Sequence, residues 1–153
     1  MKTFYTYQKI IVSGLFQLLL IGVLSSAASA QDSLFKKNIF AWVKGQPPQI
    51  TADSVYNLHN PYDDEDPYFY LQLAIIILEK SKKINYATGQ GIAHTIIANC
   101  KTFAYNKEVS LPHRDTAIQL LSLTTPGKSL AQAYMHKAQA IGDLGRFDSM
   151  NYY

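Results

Sequence analysis

The sequence predicts an all-α protein built from helical hairpins that repeat along the chain. From Tyr68 onward, apolar residues recur at helical spacing in segments that Gly and Pro residues separate. The segment 89–93 (Gly-Gln-Gly-Ile-Ala) recurs 38 residues later as 127–131 (Gly-Lys-Ser-Leu-Ala). The last stretch, 131–153, has the pattern of a helix, a tight turn and the start of a second helix. Together these observations predict helix-on-helix packing without sheet.

The last stretch shows the hairpin pattern most clearly. Tyr134, Ala138 and Ile141 fall on one face of its first helix, where the small Ala138 allows a second helix to approach closely. Gly145 can take a positive φ and so end that helix. The second helix then begins near Met150.

Residues 1–30 have the composition of a signal peptide. Lys2 and Lys9 form a positive start, 10–24 are mostly apolar, and 28–30 (Ala-Ser-Ala) supply the small residues of a cleavage site. An apolar stretch of about 15 residues is shorter than the roughly 20 that span a membrane, which favours a cleaved signal over an uncleaved anchor. We therefore expect an exported protein, periplasmic or extracellular, whose mature part has no membrane span.

The mature chain is expected to be nearly neutral. The whole sequence has 14 Lys and Arg against 11 Asp and Glu, and two of the basic residues lie in 1–30. Binding to nucleic acid would require a concentrated basic stripe, so that partner class is excluded. The cluster Lys80, Lys82 and Lys83 lies at a predicted helix end, where lysines complement the helix dipole.

Residues 31–67 are predicted to form a short helix and an irregular linker. Apolar residues at helical spacing predict the helix at 34–44, whereas 50–67 lacks sustained periodicity. The acidic run 63–66 either binds calcium or complements the dipole of a helix that begins at Pro67. Because the run lacks the spacing of a calcium loop, its sequence favours the second interpretation.

Residues 68–153 are predicted to form the helical repeats, the last of them incomplete. The first helix is so densely apolar that we expect it to be buried on two sides. The predicted helices are 68–84, 92–106 and 114–123, followed by that of the last stretch, and the predicted breaks are 89–91, 109–112 and 124–127.

The last stretch resembles a tetratricopeptide repeat. Tyr134, Ala138, Ile141, Gly145 and Phe147 fall at the aromatic, small, apolar and turn places of that pattern. Two residues depart from it: Lys137, where Leu is usual, and Met150, where Ala is usual. In the 38-residue register, Ile96, Cys100 and Phe103 take the places of the first three. The resemblance implies an α-α superhelix of stacked hairpins.

The resemblance also implies a groove, lined by the first helices of successive repeats, that binds an extended or helical segment of a protein or peptide. The residues at groove-lining places are His94, Ile97, Lys101, Tyr105, Gln132, Met135, Gln139 and Asp143. The alternative is that these positions are the solvated faces of two helices.

The segment 78–93, behind a signal peptide, is similar to extracytoplasmic repeats of bacterial sensor proteins, especially those of Bacteroidetes-like bacteria. In that family a transmembrane helix and a histidine kinase or a regulator output follow the repeats. The resemblance implies the sensory input part of a signal-transduction protein. We then expect a C-terminal continuation or a partner helix to cover 146–153. A stand-alone periplasmic scaffold or assembly factor is the alternative.

No motif in the sequence indicates catalysis. His59, His94, His113 and His136 occur at no metal-ligand spacing, and neither a nucleophile elbow nor a phosphate-binding loop is present. The single Cys100 cannot form an intrachain disulfide and is expected to be a small buried hydrophobe. We therefore expect a non-catalytic protein without a metal or cofactor, and an unrecognised enzyme is the least favoured interpretation.

The signal-peptide prediction has a direct test. Mass spectrometry of the exported protein is expected to find Gln31, free or cyclised to pyroglutamate, at the N-terminus, because the small residues 28–30 immediately precede it. An exported protein that still begins with Met1 would contradict this prediction.

Overall fold

A computed structural model describes residues 30–59, 66–104, 107–124 and 127–146, which form six helices and no strand. The prediction of an all-α fold is thus confirmed for the described residues. The helices are α1 (30–45), α2 (Pro48–Leu58), α3 (Pro67–Lys83), α4 (Ala87–Ala104), α5 (Lys107–Ser122) and α6 (Lys128–Asp143). The predicted signal peptide, except for Ala30, and the second helix of the last stretch lie outside the described residues. None of the described helices is both long enough and apolar enough to cross a membrane.

Helix α1 confirms the helix predicted at 34–44 and extends it at both ends. The chain divides between Ile39 and Phe40 into two units. The described part of the first unit, 30–39, is helical and carries an ion pair one turn apart, from Lys36 Nζ to Asp32 Oδ2 at 2.8 Å. The second unit, from Phe40 onward, holds the other described residues.

Helix α2 lies where the sequence predicted an irregular linker, and that prediction is wrong for Pro48–Leu58. Pro48 stands in the first turn, where its fixed φ suits a helix and its missing N–H has no helical partner. Thr51, Ala52 and Val55 form the buried face. Because two of these three residues are small or polar, hydropathy alone does not reveal the face.

Helix α3 lies within one residue of the predicted helix 68–84 at both ends. Asp66 is its N-cap, since its side chain accepts a hydrogen bond from the Phe69 N–H at 2.9 Å, and Pro67 occupies the first turn. This agrees with the dipole interpretation of the acidic run, of which 63–65 lie outside the described residues. The expected burial on two sides is wrong, because α3 buries one stripe that includes Leu73 and Ile77 and leaves Ile75 exposed.

Lys80 joins α3 to the end of α1. Its ammonium donates to the carbonyl oxygens of Val43 at 2.8 Å, Lys44 at 2.9 Å and Gln46. These carbonyls belong to the last turn of α1 and the residue after it, which lack the partners that a continuing helix would give them. The lysine therefore caps another helix rather than its own.

Helix α4 is enclosed by its neighbours, since it packs against α2, α3 and α5. Every side chain from Gly91 to Cys100 is buried except that of His94, which is half-buried. The break predicted at 89–91 is wrong, because both glycines lie inside α4 and the chain turns at 84–86, where Asn85 has a φ of 53°. A Cβ on Gly91 would lie 2.6 Å from Leu121 Cγ. The glycine is thus required by close packing rather than by a turn.

Helix α5 includes the turn that was predicted at 109–112, so that prediction is also wrong. Pro112 lies inside the helix and leaves the carbonyl of Glu108, in the first turn, without its usual partner. The buried residues of α5 recur at intervals of three or four and continue through the proline: Ser110, Arg114, Ala117 and Leu121. Continuous packing along this stripe explains why the helix persists.

Three ion pairs show that α5 and α6 are antiparallel. Lys107 pairs with Asp143 at 2.8 Å, Asp115 with Lys137 at 2.6 Å, and Glu108 with Arg146, just after α6, at 3.1 Å. Residue numbers rise along α5 as they fall along α6, as in a hairpin. Lys137 departs from the tetratricopeptide pattern, and its ion pair with Asp115 links the two helices. Gly145 has a φ of 72°, as predicted for the end of α6.

Candidate interaction site

The outward side of α6 is the most open of the surfaces that the sequence singled out. Ala131, Met135 and Gln139 are exposed at intervals of one helical turn, and 49% of Met135 is accessible to solvent. We call these three residues the α6 face. The opposite side of the helix, including Ala133, His136 and Ala140, is buried, and α6 packs against α5. One side of α6 therefore stabilises the fold while the other meets solvent.

Besides Met135 and Gln139, two residues of α6 were predicted to line the groove, and both are engaged within the protein. Gln132 Oε1 accepts a hydrogen bond from the Tyr56 hydroxyl at 2.9 Å, and burial raises the pKa of Tyr56 to about 12. Asp143 forms the ion pair with Lys107 described above. A partner would meet these residues only at the margin of the α6 face or by displacing an existing contact.

The predicted groove residues on α4 do not form one open surface. Ile97 is only 4% exposed and lies in the core, so its predicted place in the groove is wrong. It is buried because the packing around α4 leaves no open side at that position. Tyr105 lies outside the described residues. His94 and Lys101 are half-buried and meet a residue of α5 that the sequence did not single out.

That residue is His113, and the three side chains form what we call the basic cluster. His94 Nδ1 lies 2.9 Å from His113 Nδ1, and Lys101 Nζ lies 3.0 Å from His113 Nε2. Burial, and then the nearby His113 and Lys82, lower the pKa of His94 to about 4. Burial, and then Lys101, also lower the pKa of His113. Both imidazoles are therefore neutral at pH 7.

Sequence reasoning missed the pairing of the two histidines because it placed His113 just after a turn. With α5 starting at Lys107, His113 lies inside a helix antiparallel to α4 and within reach of both His94 and Lys101. The signal that could have revealed it was the helical spacing of Ser110, Arg114 and Ala117, which Pro112 concealed.

A second polar cluster, which we call the arginine cluster, is buried between α4, α5 and α6. Arg114 donates from Nη1 to Asn99 Oδ1 at 3.2 Å, from Nη2 to Thr102 Oγ1 at 3.0 Å and from Nε to Ser110 Oγ at 3.4 Å. Burial lowers the pKa of Arg114 to about 10, so the guanidinium remains charged at pH 7. Among the described residues, its hydrogen-bond partners are all neutral.

His136 of α6 completes the arginine cluster. It is buried, and its Nδ1 has no hydrogen-bond partner in the described part of the chain. Burial, followed by the charge of Arg114, lowers the pKa of His136. The imidazole is thus held neutral beside a buried cation. The sequence offered no signal for this arrangement, since the contributing residues are spread over three helices.

Cys100, the single cysteine of the chain, is not activated for nucleophilic attack. Cys100 is buried as expected, and burial raises the pKa of its thiol to about 12, which keeps it protonated. Within the described ranges, no three His, Cys, Asp or Glu side chains are grouped to hold a metal ion. The basic cluster and the arginine cluster instead contain hydrogen-bond donors and positive charge.

The chain matches no protein-family model, no curated protein and no solved structure. The resemblance to tetratricopeptide repeats therefore stays a prediction from the sequence pattern.

The lowered histidine pKa values predict that acid destabilises the fold. Between pH 4 and 6.5 the unfolded chain binds more protons than the folded one at His94, so stability rises with pH in this window. Lowering the pH from 7 to 5 should reduce the free energy of unfolding by about 1–2 kcal/mol through His94, allowing for solvent screening. Urea titrations of the wild type and His94→Gln at both pH values test this. An equal fall in the two proteins would contradict it.

Proposed function

We propose that the chain is an exported, non-catalytic helical module that binds a protein or peptide, and that it is the sensory input part of a bacterial signal-transduction protein. The observation that carries the binding role is the α6 face. Met135 is exposed and apolar in the middle of a helix whose other side is already packed against α5. Covering such an apolar side chain with a partner removes it from water, which favours binding.

The side chains of the α6 face suit a segment of polypeptide. Met135 is unbranched and polarizable, so it adapts to an irregular apolar surface. Gln139 has an amide that both donates to and accepts from a peptide backbone. Ala131 is small enough to allow the backbone of the partner to approach. An amphipathic helix or an extended segment is therefore the partner of best fit.

The proposed setting is supported by the sequence. Residues 1–30 have the order of a signal peptide, and 78–93 resembles extracytoplasmic repeats of sensor proteins. The stacked superhelix of tetratricopeptide repeats is part of this proposal, and the sequential packing of α3 on α4, α4 on α5 and α5 on α6 is consistent with it. A stand-alone periplasmic scaffold would use the same α6 face. A reading frame that continues beyond Tyr153 into a membrane helix and a kinase domain would distinguish the sensor from the scaffold.

Site-specific photocrosslinking tests the binding role. A photoreactive amino acid at Met135, in the periplasm of the producing bacterium, should form a discrete crosslink to one partner. The same residue at Ile75 should not, although Ile75 is likewise an exposed apolar residue within a helix. Met135→Glu should reduce recovery of that partner about tenfold, because a charge at an apolar contact must be desolvated. Ile75→Glu should leave recovery unchanged.

Both substitutions are at exposed positions, so circular dichroism should show unchanged helix content in each protein. Equal recovery of the partner with Met135→Glu and Ile75→Glu would remove the α6 face from the mechanism.

A further inference from the structure

The basic cluster has only one arrangement of protons that satisfies all of its contacts. The Lys101 ammonium can only donate, so His113 Nε2 must accept its hydrogen bond and carries no proton. A neutral imidazole has one N–H, which in His113 must then be on Nδ1. That N–H points at His94 Nδ1, 2.9 Å away, which must accept. His94 is therefore left with its own proton on Nε2.

This sequence of hydrogen bonds has a direction. It starts at an ammonium group and ends at the N–H of His94, and each bond polarises the next. His94 is half-buried, and its Nε2 makes no hydrogen bond to any described residue. Basic groups lie near His94: Lys82 lowers its pKa, and Lys101 Nζ lies 3.0 Å from the Nε2 atom of His113. The N–H at the end is thus a donor in a positive environment, and no described residue accepts from it.

We propose that the basic cluster binds an oxyanion, to which His94 Nε2–H donates, and that in the complex this oxyanion is a carboxylate of the partner. The assignment to the partner rests on the function proposed above and adds an acidic group to the chemistry of that partner. An acidic side chain or a C-terminus would supply an oxyanion acceptor for the His94 Nε2–H.

A cation is a poor ligand for the basic cluster. A divalent metal bound between the two imidazoles would lie next to the Lys101 ammonium and would have to displace the proton that the histidines share. An oxyanion leaves every existing hydrogen bond in place. The positive charges of Lys82 and Lys101 also attract an oxyanion, whereas they would repel a metal ion.

Nuclear magnetic resonance of protein with 15N-labelled histidine tests this inference without a partner. At pH 7, His113 should be the Nδ1–H tautomer and His94 the Nε2–H tautomer. Sodium acetate, titrated at constant ionic strength against sodium chloride, should shift the His94 Nε2 resonance saturably. The dissociation constant should be on the order of 10 mM, since a single small anion makes few contacts. A parallel titration with sodium phosphate identifies the kind of oxyanion.

Lys101→Met should weaken acetate binding at least about fivefold and return His113 to the Nε2–H tautomer, because the ammonium that fixes the tautomer is gone. Lys83→Met, at an exposed lysine of α3, should change neither. An Nε2–H tautomer of His113 in the wild type, or identical acetate shifts in the wild type and Lys101→Met, would overturn the inference. Saturation by phosphate but not acetate would overturn the assignment to a carboxylate. These outcomes are independent of crosslinking at Met135, so either proposal can fail alone.

Discussion

The close packing of three helices around α4 is the constraint on which the rest of the structure depends. Helices α2, α3 and α5 all contact it, and Gly89 and Gly91 leave room where a Cβ would collide with Ser81, Tyr86 or Leu121. Ile92 and Ile96 are fully buried as a result, and burying one such side chain contributes about 1.5–3 kcal/mol. Since apolar contacts occupy most of α4, its polar side chains bond either within the helix, as Thr95 does to the Gly91 carbonyl, or to α5.

The two polar clusters follow from that arrangement. Asn99 and Thr102 hold the guanidinium of Arg114, while His94 and Lys101 meet His113. A buried cation is costly without hydrogen bonds, so these contacts restrict how α5 can lie against α4. Ion pairs such as that between Asp115 and Lys137 then hold α6 against α5. One side of α6 is thereby fixed and the other remains open, as the proposed binding role requires.

The sequence predicted the helices whose apolar residues are large and regularly spaced, including the one at 34–44 and the end of α6 at Gly145. It failed where packing overrides a local signal. Rules based on local sequence interpret Gly89 and Gly91 as the break between two helices. Their lack of a side chain instead permits α4 to approach its neighbours. Contacts between helices were harder to predict than the helices themselves. The pairing of His94 with His113 depends on where α5 begins, and the burial of Ile97 depends on which helices surround α4.

The claim that close packing around α4 requires Gly91 is tested most directly by comparing the free energies of unfolding of Gly91→Ala and Gly45→Ala. Alanine normally stabilises a helix relative to glycine by about 1 kcal/mol. At Gly91, however, the new methyl group would lie 2.6 Å from Leu121 Cγ and 3.3 Å from the Ala117 carbonyl oxygen, whereas at Gly45 nothing lies within 4 Å. Urea titration should show Gly91→Ala destabilised by about 1–3 kcal/mol through overpacking, and Gly45→Ala unchanged or slightly stabilised. A Gly91→Ala protein at least as stable as the wild type would contradict the account.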